Sequence, residues 1–274
     1  MTTPTKTLWQ ERYRDDHQQE RLISNPVIEQ ILAHRSVRAY SDQPLPEGWL
    51  ETLLATAQSA ATSSNLQVWS LLVVEDPARK ERLSKIARQA HVARAPAILV
   101  WLADFSRIQQ QATKRGAELP ALDYFDSALI GSVDAALAAQ NAALAAESLG
   151  LGTVYLGSLR NDLQATVDEL QLPPLVFPVF GMAIGYPDPD KPAAIKPRLP
   201  QAVILHRETY QPHPQQDELI SAFDQRLGEF YQEQKINVSD WSGHVIERLQ
   251  DIDAGGTARS QIGPVIRRQG YPMR

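Results

Sequence analysis

The sequence predicts a mixed domain of helices and about five strands, and three observations carry that expectation. Short β-branched apolar runs alternate with amphipathic segments of helical period along most of the chain. One run, Ala97 to Ala103, is apolar at every position and follows Pro96, the pattern of a central strand covered on both faces. The 274 residues are 43% hydrophobic, enough to bury one large core, so a single domain over residues 1–274 is expected. Alternation of strands with helices suits α/β and α+β alike, and pattern alone slightly favours a doubly wound parallel sheet.

The elements follow in order. Asn25-Pro26 is a favourable N-cap and N1 pair, opening an amphipathic helix that should end near Arg35. Pro46 to Ala61 is a second helix, and Trp69 to Asp76 is a strand closed by Pro77. A helix from Ala78 to about Ala90 leads to the apolar run at Ala97. The Ala-rich stretch from Asp126 to Leu149, stopped by Gly150 at the C′ position, is apolar nearly all round and should be a core helix. Thr153 to Leu156 and Phe177 to Ile184 are strands flanking a polar helix at Asn161 to Leu170, and Ala202 to Leu205 is the fifth apolar run. The residues after Tyr210 look helical and polar, with little core of their own.

Composition excludes several functions. A net charge of -5 argues against a nucleic-acid binder, because affinity for a phosphate backbone needs clustered Lys and Arg. The absence of cysteine removes disulfides, thiolate nucleophiles and Cys-ligated metals. Six scattered histidines without ligand spacing give no metal site. The opening residues are too charged for a signal peptide and no apolar run is long enough to span a membrane, so a soluble cytoplasmic protein is expected. No G-x-S-x-G elbow or P-loop lysine is present.

Four segments hold groups that could bind a ligand. His34-Arg35-Ser36-Val37-Arg38 clusters two guanidiniums, an imidazole and a hydroxyl past a helix end, which suits an anion grip or simple complementation of the helix dipole. Ser59 to Gln67 is a run of small hydroxyl residues that would let a flat ring approach the backbone, or form an ordinary loop. Gly150-Leu-Gly-Thr-Val-Tyr-Leu-Gly-Ser158 has glycines after a helix and before a strand, the reverse of a Rossmann fingerprint. Lys196-Pro-Arg-Leu-Pro200 holds two cations on proline-restricted backbone, as a binding segment or a surface linker would.

In order and spacing, HRSVR, ATSSNLQ, ESLGLGTVYLGSLR and IKPRLP resemble the oxygen-insensitive NADPH nitroreductases and their flavin-reductase relatives, from about Asn25 to Tyr210. The resemblance implies an α+β nitroreductase-like fold: a mostly antiparallel central sheet enclosed by helices, with a C-terminal extension at 211–274 and an N-terminal one at 1–24. It implies a homodimer with non-covalent FMN at the dimer interface. His34, Arg35, Ser36 and Arg38 would hold the FMN phosphate and ribityl side, with Lys196 and Arg198 completing the cationic grip. Ser63 and Ser64 match serines beside the flavin of the opposite subunit, and Gln89 matches a glutamine that contacts it. Tyr155, Leu156, Gly157 and Ser158 match a loop over the ring face, where the family commonly has two glycines at the last two positions.

On that resemblance no acid, base or nucleophile comes from the protein, because the flavin carries the chemistry. NADPH is the electron donor, and a nitroaromatic, quinone or flavin accepts the electrons in ping-pong order. Rival readings are an NADPH:FMN oxidoreductase that supplies reduced flavin to a partner, and a non-catalytic flavin-binding redox sensor. The NADPH 2′-phosphate needs a separate cation, and Arg259, in the Gly-paired segment Ala254 to Ser260, lies where the resemblance puts a mobile loop.

Overall fold

The computed structural model describes residues 4–14 and 22–274. Its helices are α1 (Pro4–Tyr13), α2 (Pro26–Leu32), α3 (Trp49–Gln58), α4 (Pro77–Ala87), α5 (His91–Arg94), α6 (Ser106–Lys114), α7 (Phe125–Ser148), α8 (Leu163–Glu169), α9 (Gln201–Ile204), α10 (Gln216–Glu233), α11 (Trp241–Gln250) and α12 (Ile262–Arg268). Its strands are β1 (Trp69–Val74), β2 (Ala97–Asp104), β3 (Gly152–Leu156) and β4 (Val176–Gly185). The chain divides into two compact units: a helical unit, Met1–Arg35 with Ala193–Ala254, and a sheet unit, Ser36–Pro192 with Gly255–Arg274. These boundaries differ from the expected extension limits at residues 24 and 211.

In the sheet unit the strand order is β1-β2-β4-β3, with every pair antiparallel. This corrects the parallel arrangement that pattern alone favours. Continuous apolar runs report burial on both faces, not strand direction, and β2 is buried at every position while paired antiparallel on both edges. Ala97, Leu99 and Trp101 pack with Leu53 and Ala57 of α3 and the alanines of α7. Ile98, Val100 and Leu102 face Leu83, Ala87 and Val92 of α4 and α5. The expected fifth strand is absent among the described residues: Gln201–Ile204 forms one helical turn, with Ile204 and Leu205 exposed. Four apolar residues behind Pro200, with no strand to pair with, satisfy their backbone better in a turn.

Local chemistry sets the helix ends. Asn25 Oδ1 accepts from the Ile28 N–H at 2.9 Å, as predicted, although α2 stops at Leu32, short of Arg35. Asp76 caps α4 ahead of Pro77, its Oδ1 accepting the Arg79 N–H at 2.7 Å. Gly150 ends α7 at φ 78°, a left-handed position that glycine takes without a Cβ penalty.

Helix α7 is long and apolar enough to cross a membrane, but here its small residues lie on the core. Ala135, Ala138, Ala139, Ala142, Ala143 and Ala146 are fully or almost fully buried. Its larger apolar residues, Phe125, Leu129, Val133 and Leu137, are four residues apart on one exposed face. The helix is therefore a core helix on one side only.

In the helical unit, Phe223, Leu227, Phe230 and Tyr231 of α10 form a buried cluster with Leu199 and Trp241 against it. The expectation of a C-terminal region with little core is thus corrected. Its apolar residues are spaced at helical period but sparse enough that the surrounding polar residues mask them. Helix α12 belongs to the sheet unit, where the fully buried Tyr271 just beyond it packs edge-on against Phe105 and Phe177.

Candidate cofactor site

In the sheet unit, the segment after Arg35 runs beside β3. Ser36 pairs with Thr153 in a parallel bridge, and the Val37 N–H donates to the Thr153 carbonyl at 2.9 Å. The approach depends on Gly152, where a Cβ would come within 2.6 Å of the Val37 side chain. A glycine set back from the predicted flavin loop therefore serves to seat Val37 beside β3. Arg38 is exposed, with its charge felt at Tyr40 and His91.

Burial, then the charges of Arg38 and Arg94, hold His91 below its ordinary pKa of 6.5. Its Nε2 is buried without a hydrogen-bond partner among the described residues. A lowered folded-state pKa means the unfolded chain takes up the proton first. The stability His91 contributes is complete above about pH 6.5 and is lost as pH falls through the folded pKa. Thermal melts between about pH 5 and 7.5 should show the midpoint falling with acid, and His91→Gln should flatten that slope. An unchanged slope in the variant would remove His91 as the cause.

Ser63 and Ser64 are exposed in a tight turn, Ser63–Asn65. Ser64, Asn65 and Gln67 all have positive φ, at 47°, 55° and 52°. Left-handed backbone at non-glycine residues costs on the order of 1 kcal/mol each and persists only where neighbours enforce it. Asp134 of α7 is one enforcer: it is fully buried, and its Oδ1 accepts the Ser63 N–H at 3.0 Å. Sequence reading passed over Asp134, yet a carboxylate amid the alanines of an otherwise apolar helix was the available signal.

The loop after β3 shows what Ser158 does in place of glycine. It is 8% exposed, and its hydroxyl donates to Gln89 Oε1 at 2.8 Å. The serine hydroxyl thus holds the Gln89 amide by its oxygen, and the NH2 is the end of that amide able to donate. Tyr155 packs edge-on against Phe180, ring centroids 5.1 Å apart, and burial raises its pKa. Leu156 is buried beneath this loop.

Arg259 is docked on the same loop. Its Nη2 donates to the Gly157 carbonyl at 3.0 Å and its Nε to Asn161 Oδ1 at 3.1 Å. Gly255 and Gly256 have φ 67° and 72°, and their carbonyls accept from Arg88. The paired glycines thus make a turn whose carbonyls are bonded to Arg88. Arg160, which sequence reading missed, has its pKa lowered by burial and then by the neighbouring Arg259 charge. The two positive charges oppose each other.

In the helical unit, His34 and Arg35 follow α2, and Arg35 Nη1 reaches the Ala33 carbonyl. Lys196 Nζ sits 5.2 Å from the Tyr231 ring centroid. Lys196 and Arg198 line a cavity of about 810 Å³ together with Tyr13, Tyr231, Trp241 and His244. Cations beside an aromatic cavity can receive an anionic ligand with apolar parts. No cluster of metal-ligating side chains occurs among the described residues.

The chain belongs to the nitroreductase family. The family profile matches residues 31–186, and the profile of the family's C-terminal domain matches residues 196–274. The chain is 38% identical over 230 residues to the oxygen-insensitive NADPH nitroreductase of Salmonella typhimurium, covering 82% of this chain and 91% of that protein. It is 34% identical over 252 residues to the FMN reductase (NADPH) of Bacillus subtilis, covering 90% and 98% respectively. Among solved structures, the NADPH:FMN oxidoreductase from Vibrio harveyi, complexed with NAD+, superposes with a TM-score of 0.79 at 35% identity, covering 91% of this chain and all of that one.

Proposed function

We propose that the protein is an FMN-dependent NADPH oxidoreductase, a cytoplasmic homodimer that reduces nitroaromatics, quinones or flavins in ping-pong order. The observation that carries this reading is the bond between Ser158 and Gln89. Two segments 69 residues apart, each assigned to the flavin by resemblance independently of the other, are in direct contact. The relatives named as NADPH nitroreductase and FMN reductase (NADPH) support the reaction class.

The residues present fit FMN. A dianionic phosphate suits Lys196 and Arg198 beside their cavity and Arg38 exposed in the sheet unit. A flat ring with acceptor atoms suits the donor end of Gln89 and the tyrosine-bearing loop. His34, Arg35 and Ser36, together with Arg38, are assigned to the FMN phosphate and ribityl side. Ser63 and Ser64, exposed on their strained turn, are assigned to the flavin of the second subunit. Bound FMN would supply the redox chemistry, taking hydride from NADPH and passing two electrons to the acceptor. The protein orients the reactants and excludes water.

The test is direct. Purified protein should be yellow, bleach with NADPH under anaerobic conditions and recolour with a nitrofuran or quinone. A colourless protein with no NADPH oxidation would sink the proposal, and a yellow one that never bleaches would make it a flavin-binding sensor. Faster turnover with free FMN than with nitrofuran would favour a supplier of reduced flavin.

Arg259 is assigned to the NADPH 2′-phosphate. The nearby Arg160 charge favours an anion there, for which Arg259 would exchange its neutral acceptors on Gly157 and Asn161. Arg259→Ala should raise KM for NADPH about tenfold, matching loss of one charge-assisted contact, with KM for NADH and flavin content nearly unchanged. Equal effects on both nucleotides would reassign Arg259 to holding the loop.

A further inference from the structure

Helix α1 lies ahead of residue 31, where the family match begins. It is nevertheless fixed within the helical unit. Thr5 Oγ1 bonds Glu29 of α2 at 3.1 Å, Trp9 is 6% exposed, and just past the helix Arg14 pairs with Glu233 of α10 while lying 5.3 Å from the Phe230 ring centroid. The buried residue in its last turn is Arg12, also 6% exposed.

Arg12 joins the two cationic segments of this unit. Its Nη2 donates to the carbonyls of Leu32 at 2.9 Å and His34 at 2.6 Å, and its Nη1 to the carbonyl of Lys196 at 2.9 Å. Its own carbonyl accepts the Arg198 N–H at 2.9 Å. Leu32 ends α2, so its carbonyl is one that the helix leaves unpaired and that a cation satisfies well. A planar fork of fixed donors, charged at every working pH, suits a bridge among three carbonyls whose spacing must hold. One residue outside the family match thereby sets where His34 stands relative to Lys196 and Arg198.

We propose that Arg12 is a positioning residue for the FMN phosphate, acting through the backbone of His34, Lys196 and Arg198. This rests on the assignment of those cations to the phosphate. Without the bridge the two segments are free to separate, so the loss falls on the phosphate and spares the ring system.

The test compares FMN with riboflavin, which has the same ring and no phosphate, by calorimetric titration of the full-length protein freed of flavin. Arg12→Ala should weaken FMN about tenfold, the equivalent of one well-placed charged hydrogen bond, and leave riboflavin within about twofold. In Arg198→Ala protein the same change should cost markedly less, because the two act on one contact. Should Arg12→Ala fail to fold, Arg12→Lys keeps the charge and part of the bridge, and should weaken FMN by a few-fold with riboflavin unchanged. Equal weakening of both ligands, or of neither, by the variant that folds would overturn the role of Arg12. Equal affinity of the wild type for both ligands, or an Arg198→Ala variant that binds FMN normally, would instead overturn the phosphate assignment and the proposal with it.

Discussion

Replacing Leu129 and Val133 together by Glu is expected to leave a folded 30.5 kDa monomer with NADPH oxidation reduced about a hundredfold or more. Both residues are about half exposed, at 47% and 46%, so a single folded chain tolerates charge there, and Glu is at least as good a helix former as Val. Phe125 and Leu137 extend the same face, giving α7 a continuous apolar stripe that a second copy would cover. In a two-fold interface each substitution counts twice, so four carboxylates would be buried opposite apolar partners. Even about 1 kcal/mol each gives roughly a thousandfold weaker dimer. Activity should fall along with assembly, because Ser63 and Ser64 are assigned to the other subunit's flavin. Sedimentation equilibrium and flavin content read both effects. A variant that still sediments as a dimer, or a monomeric wild type fully loaded with FMN, would reject the α7 interface.

The helices and strands that carry the cofactor assignments were largely legible. Asn25-Pro26, Asp76-Pro77 and Gly150 state their caps in residue type, and β2 states its burial by having no polar position before Asp104. Strand direction was not legible from pattern, because β4 inserts between β2 and β3 and nothing local encodes which neighbour a strand meets. The resemblance supplied it. The apolar run at Ala202 misled because β-branched residues in a short stretch suit a turn equally well when no edge is available. Within the site, residue types named the ligand-facing groups but not their supports. Asp134 under Ser63, Arg12 behind His34 and Lys196, and Arg160 beside Arg259 act across 22 to 184 residues of sequence. Such contacts depend on the folded chain, and a lone buried charge in an apolar or uncharacterised segment is the trace they leave.

Arg38→Ala and Arg198→Ala are each expected to weaken FMN ten- to hundredfold, from the loss of roughly 1.5 to 3 kcal/mol of charged hydrogen bonding to phosphate. The two sites should behave alike toward the ligand but differ in the free protein. Arg198 is exposed, with weak contacts from its Nη1 to its own segment's carbonyls at 3.4 Å, so its removal should hardly change stability. Arg38 helps hold the His91 pKa down, so Arg38→Ala should raise it toward 6.5 and shift the acid limb of the stability profile to a smaller slope. Neither change touches the ring-facing loop, so riboflavin affinity should stay within about twofold, whereas Arg38→Lys should restore part of the FMN loss by keeping the charge without the bidentate fork. Calorimetric titration with both ligands, at matched salt because exposed cations are screened, decides the matter. FMN affinity unchanged in both variants would show that the phosphate is held elsewhere, and losses shared equally by riboflavin would place these arginines against the ring.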